Sequence, residues 1–296
     1  MEAIICDRSL QGVHLLSKRK GVELQAYFSR KDHLARALDA ARDSGVRSLY
    51  CTSQPLLLEL LKSDPDRWPF RVFAVVPNFA RFVRDTSHYG TTGAAVRRIL
   101  AMPFFHKLRL AGFALAHPGP ALGMRFELMM NLFLLAEASA FLAPGKDGGR
   151  LRLRALVLHQ QIADLSLSLG QKGLFRIFSR MARAELGLEA GAATSNDVRL
   201  SEFLEDSPGL FDWFFSPFNP RGHLMHPGRS ECEEALRRRG SAPARTVADV
   251  WCLGGTLPFA ESRDYIASLP FAGALIDIAD LLHAEHPQRI HSIQAI

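Results

Sequence analysis

What most constrains this chain is a recurring pair: a short, nearly continuous apolar run followed by a stretch of helical periodicity. The runs fall at residues 3–6, 49–52, 71–76, 155–159, 189–194, 212–217, 249–253 and 274–278. They are apolar almost throughout rather than alternating, the pattern of parallel strands covered on both faces. Helical patterns lie between them, for example over 31–43 and 56–62. Eight such units predict an α/β fold, a single (β/α)8 TIM barrel over residues 1–296. A doubly wound open sheet would want a Gly-x-Gly-x-x-Gly turn after an early strand, and the chain has none.

The rhythm breaks once, between the third and fourth runs. Helix-like segments at 79–100 and 124–142 are interrupted there by Pro103, by His117-Pro118-Gly119-Pro120 and by Pro144-Gly145. A structureless loop of that length does not suit a barrel, so 79–148 is read as a helical insertion after strand three, over the C-terminal face. Extra packing, a homo-oligomer surface and a lid over a pocket are the three uses open to it.

Composition narrows the function classes. With 296 residues, 48% hydrophobic and 22% charged, the chain buries a sizeable core and is not disordered. Cys6, Cys51, Cys232 and Cys252 form no close pair, against a disulfide scaffold or zinc ribbon. The net charge of +6 comes from 29 arginines and only seven lysines. The arginines are scattered rather than striped, so no nucleic-acid partner is expected. The N-terminus lacks a basic segment followed by an apolar leader run. The apolar stretch 128–142 carries Glu137 and is shorter than the roughly 20 residues that span a bilayer. The expectation is a cytoplasmic protein with no stable membrane insertion and a small-molecule ligand.

From strand four onward the order of motifs resembles the aldo/keto reductases. Leu156-Val157-Leu158-His159 is similar to that family's strand-four histidine segment, and Gly191-Ala192-Ala193-Thr194-Ser195-Asn196 to its Gly-x-x-Ser-Asn strand end. Phe211 to Asn219 is similar to its strand six, and Leu253-Gly254-Gly255-Thr256-Leu257 with 274–277 to its last two strands. The resemblance covers residues 151–282 and implies the barrel. It also implies an Asp-Tyr-Lys-His set and bound NADPH, and here the chain departs. Strand two ends in Tyr50-Cys51-Thr52-Ser53-Gln54 without the acid; Asn78 stands where the lysine would be; only His159 remains. Phe215 replaces the glutamine that would meet the nicotinamide, and Asp277 and Asp280 replace the phosphate-binding residues after strand eight. The chain looks like a divergent branch lacking the reductase tetrad. Its cofactor is unknown, with NADPH kept as an alternative.

Catalytic groups of a barrel sit at the C-terminal strand ends. His159 is the acid/base candidate, because an imidazole exchanges protons near neutrality, and Asp7 could pair with it. As an ordinary helix cap Asp7 would be equally unremarkable. Asn78, Asn196 and Asn219 suit hydrogen bonds to a carbonyl or carboxylate, and Arg8 and Arg221 offer planar forks to an anion. Thr52, Ser53, Gln160, Gln161, Ser195, Thr256 and Asp277 complete the polar mouth. His223 and His226 lack a third ligand and a carboxylate motif, so no metal site is read. No lysine ends a predicted strand, which disfavours a Schiff-base mechanism. The leading expectation is an enzyme doing acid/base chemistry on a polar metabolite, an anion among the candidates. The alternatives are an NADPH-dependent oxidoreductase with Tyr50 or Tyr89 as the proton donor, and a non-catalytic binding or scaffold protein.

Overall fold

Eight parallel strands, each hydrogen-bonded to the next in sequence and the last to the first, close a barrel in a computed structural model. The structure describes residues 1–14, 17–101, 126–239, 244–250, 257–282 and 286–296. The strands are β1 (Glu2–Cys6), β2 (Ser48–Cys51), β3 (Arg71–Val76), β4 (Arg152–Leu158), β5 (Glu189–Ala193), β6 (Trp213–Pro217), β7 (Arg245–Asp249) and β8 (Gly273–Asp277). Seven coincide with the expected runs to within a few residues. Strand seven does not: the run expected at 249–253 is preceded by the true strand, Arg245–Asp249. Asp249 therefore ends β7 instead of opening it, and residues 251–253 lie outside the described ones.

The helices in chain order are α1 (Lys18–Phe28), α2 (Lys31–Asp43), α3 (Pro55–Ser63), α4 (Phe79–Ala101), α5 (Phe126–Leu142) and α6 (Gln160–Ser168). They continue as α7 (Lys172–Arg180), α8 (Asp197–Phe203), α9 (Arg229–Arg239), α10 (Phe259–Ala267) and α11 (His286–Gln294). Within the segment read as an insertion, α5 packs against β3 and α7, with Leu134, Leu135, Ala138 and Phe141 buried. Meanwhile α4 leaves the end of β3, breaks at Gly90 (φ 67°, ψ 170°) and meets α5.

Alternation along the strands divides the core in two. Outward residues such as Leu49, Val72, Leu156 and Phe214 pack beneath the helices, while Ile4, Phe73, Val157, Phe215 and Leu275 fill the barrel. The interior is a column of rings: Trp213 meets Phe73 at 5.0 Å, Phe73 meets Phe215 at 5.3 Å, and Phe215 meets Tyr50 at 4.7 Å. Opposite β6, the neighbouring strand supplies Gly191, where a Cβ would come within 3.3 Å of Trp213. Small residues on one strand make room for large rings on the next.

An ion network closes the N-terminal end. Arg154 lies 2.9 Å from Glu2 and 3.4 Å from Glu189, Arg245 lies 2.5 Å from Glu189, and the Trp213 indole donates to Glu189 at 2.7 Å. A register shift between β3 and β4 skips Arg154, turning both it and Ala155 inward. Charged and aromatic groups thereby fill the base of the barrel.

Candidate functional site

At the mouth, the ends of β1, β7 and β8 bring charges together. Arg8 follows β1 and donates to the Asp249 carboxylate at the end of β7, so this guanidinium is already engaged inside the protein. Asp277, ending β8 and registered against Cys6, accepts from Ser9 Oγ at 2.5 Å and from the Ala279 amide at 2.9 Å. Both donors converge on Oδ1, and among the described residues Oδ2 takes no hydrogen bond. Asp280, one turn on, is pushed up to about 6, first by burial and then by the Asp277 charge. Burial likewise raises Asp249, against the opposing pull of Arg8.

Asp7 is almost wholly enclosed and serves the β1–β2 junction. Its Oδ2 accepts from the Thr52 amide at 2.9 Å and the Thr52 hydroxyl at 2.8 Å; its Oδ1 accepts from Gln11 at 3.0 Å. Burial nevertheless outweighs these bonds and lifts the carboxyl to about 6. No hydrogen bond among the described residues joins Asp7 to His159, so the expected pair is not brought together.

His159 belongs to another side of the mouth. Its Nδ1 accepts the Gln161 amide as the N-cap of α6, and its ring stacks on Phe79 at 5.7 Å. Burial lowers the imidazole to about 4, which leaves it neutral at physiological pH. With Nδ1 accepting, Nε2 carries the proton and can donate. Asn78 lies nearby at the end of β3 and caps α4: its side chain accepts the Arg81 amide at 3.0 Å, and its own amide donates to buried Glu137 at 2.9 Å.

The remaining predicted residues are placed separately. Asn196 begins α8, its amide donating to Thr194 Oγ1 at 2.9 Å. Asn219 is fully buried and holds its own loop, accepting the Arg221 and His223 amides and donating to the His223 carbonyl. Arg221 projects from that loop and is exposed. Gln160 donates to Ser195 across the ends of β4 and β5. Ser53 is buried beside Thr52, whereas Thr256 lies outside the described residues. The seven predicted residues thus line one rim without converging on one another.

The sequence reading missed Asp249 and gave Asp280 only a repulsive role. The first loss followed from the misplaced strand seven. A check that the ends of adjacent strands stay level would have exposed it, because β6 and β7 pair as far as Pro217 and Asp249.

The described groups do not suit a nicotinamide dinucleotide. Where the aldo/keto-reductase resemblance would put a cofactor phosphate, after β8, stand the carboxylates Asp277 and Asp280, and like charges repel. Phe215 is packed inside the barrel against Tyr50 and Phe73. Burial raises Tyr50 far above the usual phenol range, which makes it a poor proton donor, and Tyr89 is exposed on α4. Among the described residues no group of three or more His, Cys, Asp or Glu side chains could hold a metal, and no helix is long and apolar enough to cross a membrane.

No protein-family model and no curated protein matches the chain. Solved structures do. One described as a "putative aldo-keto reductase" from Pseudomonas aeruginosa aligns over 99% of this chain and 90% of its own, with a TM-score of 0.52 and 12% identity. The catalytic domain of a β-amylase from Paenibacillus polymyxa aligns over 99% and 97% (TM-score 0.44, 9% identity). A β-1,4-mannanase from the sea hare Aplysia kurodai aligns over 90% and 85% (TM-score 0.40, 14% identity). At such identity the first match speaks for architecture alone: this chain is a (β/α)8 barrel of aldo/keto-reductase-like fold.

Proposed function

We propose that this barrel is a small-molecule enzyme that moves protons on a polar metabolite, with Asp277 and Asp249 as its acid/base groups. One observation carries the reading. Asp277 is held rigidly through a single oxygen by Ser9 and Ala279, beside the Arg8–Asp249 pair, at the end of the barrel where such folds do chemistry. In this reading His159 donates from Nε2 to the ligand instead of shuttling a proton, and Asp7 fixes the β2 end through Thr52. Asn78, Asn196 and Asn219 shape the rim, and Arg221 remains a candidate contact. Four carboxylates (Asp7, Asp249, Asp277, Asp280) share this mouth with two arginines, Arg8 and, acting on Asp280, Arg289, which favours a neutral or cationic metabolite over an anionic one.

Incubating the protein with polar metabolites in deuterated water, and following deuterium incorporation and turnover by NMR, tests the proposal. Turnover that Asp277→Asn abolishes while the melting temperature holds supports it. Turnover that survives both Asp277→Asn and Asp249→Asn overturns it. Saturable NADPH binding would move the function to the oxidoreductase reading. Ligand-induced stabilisation without any turnover would move it to a binding or scaffold protein.

A further inference from the structure

Away from the mouth, the helix layer leaves a gap beside β6. Helix α8 has only seven residues, about 10 Å of cover, whereas α9 next to it has eleven. Phe214 is an outward residue of β6, the kind that a longer helix would cover completely. Here it lines a cavity of about 580 Å³ between the end of α8, the turn that follows it, and α9. Leu204, Leu210 and Phe211 extend the apolar floor, and Ala235 lines the α9 side. Packed interiors hold few voids larger than a water molecule, whereas sites for small ligands are concave, mostly apolar and about 300–1,000 Å³ in volume.

Charges of both signs surround that floor. Arg239, at the end of α9, is fixed in place: its two Nη atoms donate to the buried Asp197 carboxylate, one of them at 3.1 Å, and its guanidinium lies 5.0 Å over the Phe214 ring. Asp197 is held in turn by Ser216 Oγ at 3.2 Å. Because the ion pair uses the Nη atoms, the Nε–H of Arg239 has no partner among the described residues. Arg238 also lines the cavity, as do Glu202 on α8 and Glu205 on the turn. None of these three makes an ion pair or a side-chain hydrogen bond among the described residues. Residues 240–243, outside the described ones, supply none of these groups. A single exposed, unpaired charge is ordinary. Two arginines and two glutamates around one apolar cavity are a set, and the set discriminates. An anion would satisfy the arginines but meet the glutamates, and a cation would do the reverse. A zwitterion matches both, with its apolar body on Phe211 and Phe214.

We propose that this cavity is a second binding site, separate from the barrel mouth, for an α-amino acid with a large apolar side chain. Its carboxylate meets Arg238 and Arg239, its ammonium meets Glu202 and Glu205, and its side chain covers the floor. The test titrates the full chain with L-phenylalanine by calorimetry and follows the melting temperature. Expected is saturable binding that raises the melting temperature. The analogues 3-phenylpropionate and 2-phenylethylamine, each lacking one charge, should bind at least about tenfold more weakly, and glycine, lacking the apolar body, should not bind. Arg238→Ala, and separately Glu202→Gln with Glu205→Gln, should each weaken phenylalanine binding about tenfold. All three positions are exposed, so these variants should melt within about 3 °C of the parent. Ala235→Phe, which fills the cavity, should abolish binding; if that variant fails to fold, the charge variants decide. Asp277→Asn should leave the affinity unchanged. Absence of phenylalanine binding at millimolar concentration overturns the proposal. So does a single-charge analogue that binds as tightly, or an unchanged affinity in Arg238→Ala. Binding that Asp277→Asn abolishes overturns it too, since the amino acid would then occupy the mouth.

Discussion

Replacing Asp7 with Asn should stabilise the barrel at neutral pH although it removes a hydrogen-bonded carboxylate. The folded protein lifts this carboxyl from 3.8 to about 6. At about 1.4 kcal/mol for each tenfold, holding Asp7 ionised costs about 3 kcal/mol of stability above pH 6. Between those two values the folded state binds more protons than the unfolded one. Stability is therefore full below about pH 4 and falls as pH rises to about 6. Asparagine keeps the shape, and its oxygen can still accept both Thr52 donors, while the Gln11 amide turns to receive the new N–H. Some charge-assisted strength is lost, so the net gain at pH 8 should be about 1–2 kcal/mol. Urea unfolding of both proteins from pH 4 to 8 measures it. The difference between the two curves isolates Asp7 from Asp280 and Asp249, which also titrate. A difference that starts near zero at pH 4 and grows through pH 6 confirms the reasoning. An Asn variant that is less stable by the same amount at every pH refutes it, for then the bonds to Thr52 outweigh the burial of charge.

Three further outcomes follow from the geometry. Arg154→Met should cost about 1–2 kcal/mol in urea unfolding, because it leaves Glu2 and Glu189 short of a partner at the barrel base; the partial exposure of these groups keeps the figure below that of a fully buried pair. His159 should show no imidazole titration by proton NMR from pH 8 to 5.5. Its lowered folded value means that its contribution is present above about 6.5 and fades as pH falls toward 4, and His159→Gln should flatten that acid limb. Gly21→Ala should destabilise by about 1–3 kcal/mol, since the added methyl would collide first with the Gly12 backbone carbonyl, and amide exchange should rise in α1 before it rises elsewhere.

The barrel was legible because burial on both faces leaves parallel strands without polar interruption, and runs such as Arg71–Val76 and Gly273–Asp277 could be read almost directly. Strand seven shows where that signal fails. Arg245 opens β7 because it lies at the barrel base, its guanidinium 3.8 Å over the Trp213 ring and paired with Glu189, so a strand can begin on a charge. The more apolar sequence just downstream, Trp251-Cys252-Leu253, drew the expected strand toward itself. A displacement of four residues moved Asp249 from the mouth to the base, and with it went the partner of Arg8.

The same reasoning explains why the site residues were found one at a time but not as a set. Position at a strand end is written in local sequence, so Asp7, Asn78, His159, Asn196 and Asn219 could each be placed on the rim. Direction and occupancy are written by neighbours far along the chain: Thr52 claims Asp7, Asp249 claims Arg8, and the backbone amides of its own loop claim Asn219. A polar group whose hydrogen bonds are all taken inside the protein has little left for a ligand. Asp277 differs because both of its donors fall on one oxygen. That asymmetry between its two oxygens, and not its place at a strand end, is what separates it from Asp7 and Asn219, whose side-chain polar atoms are all bonded within the protein.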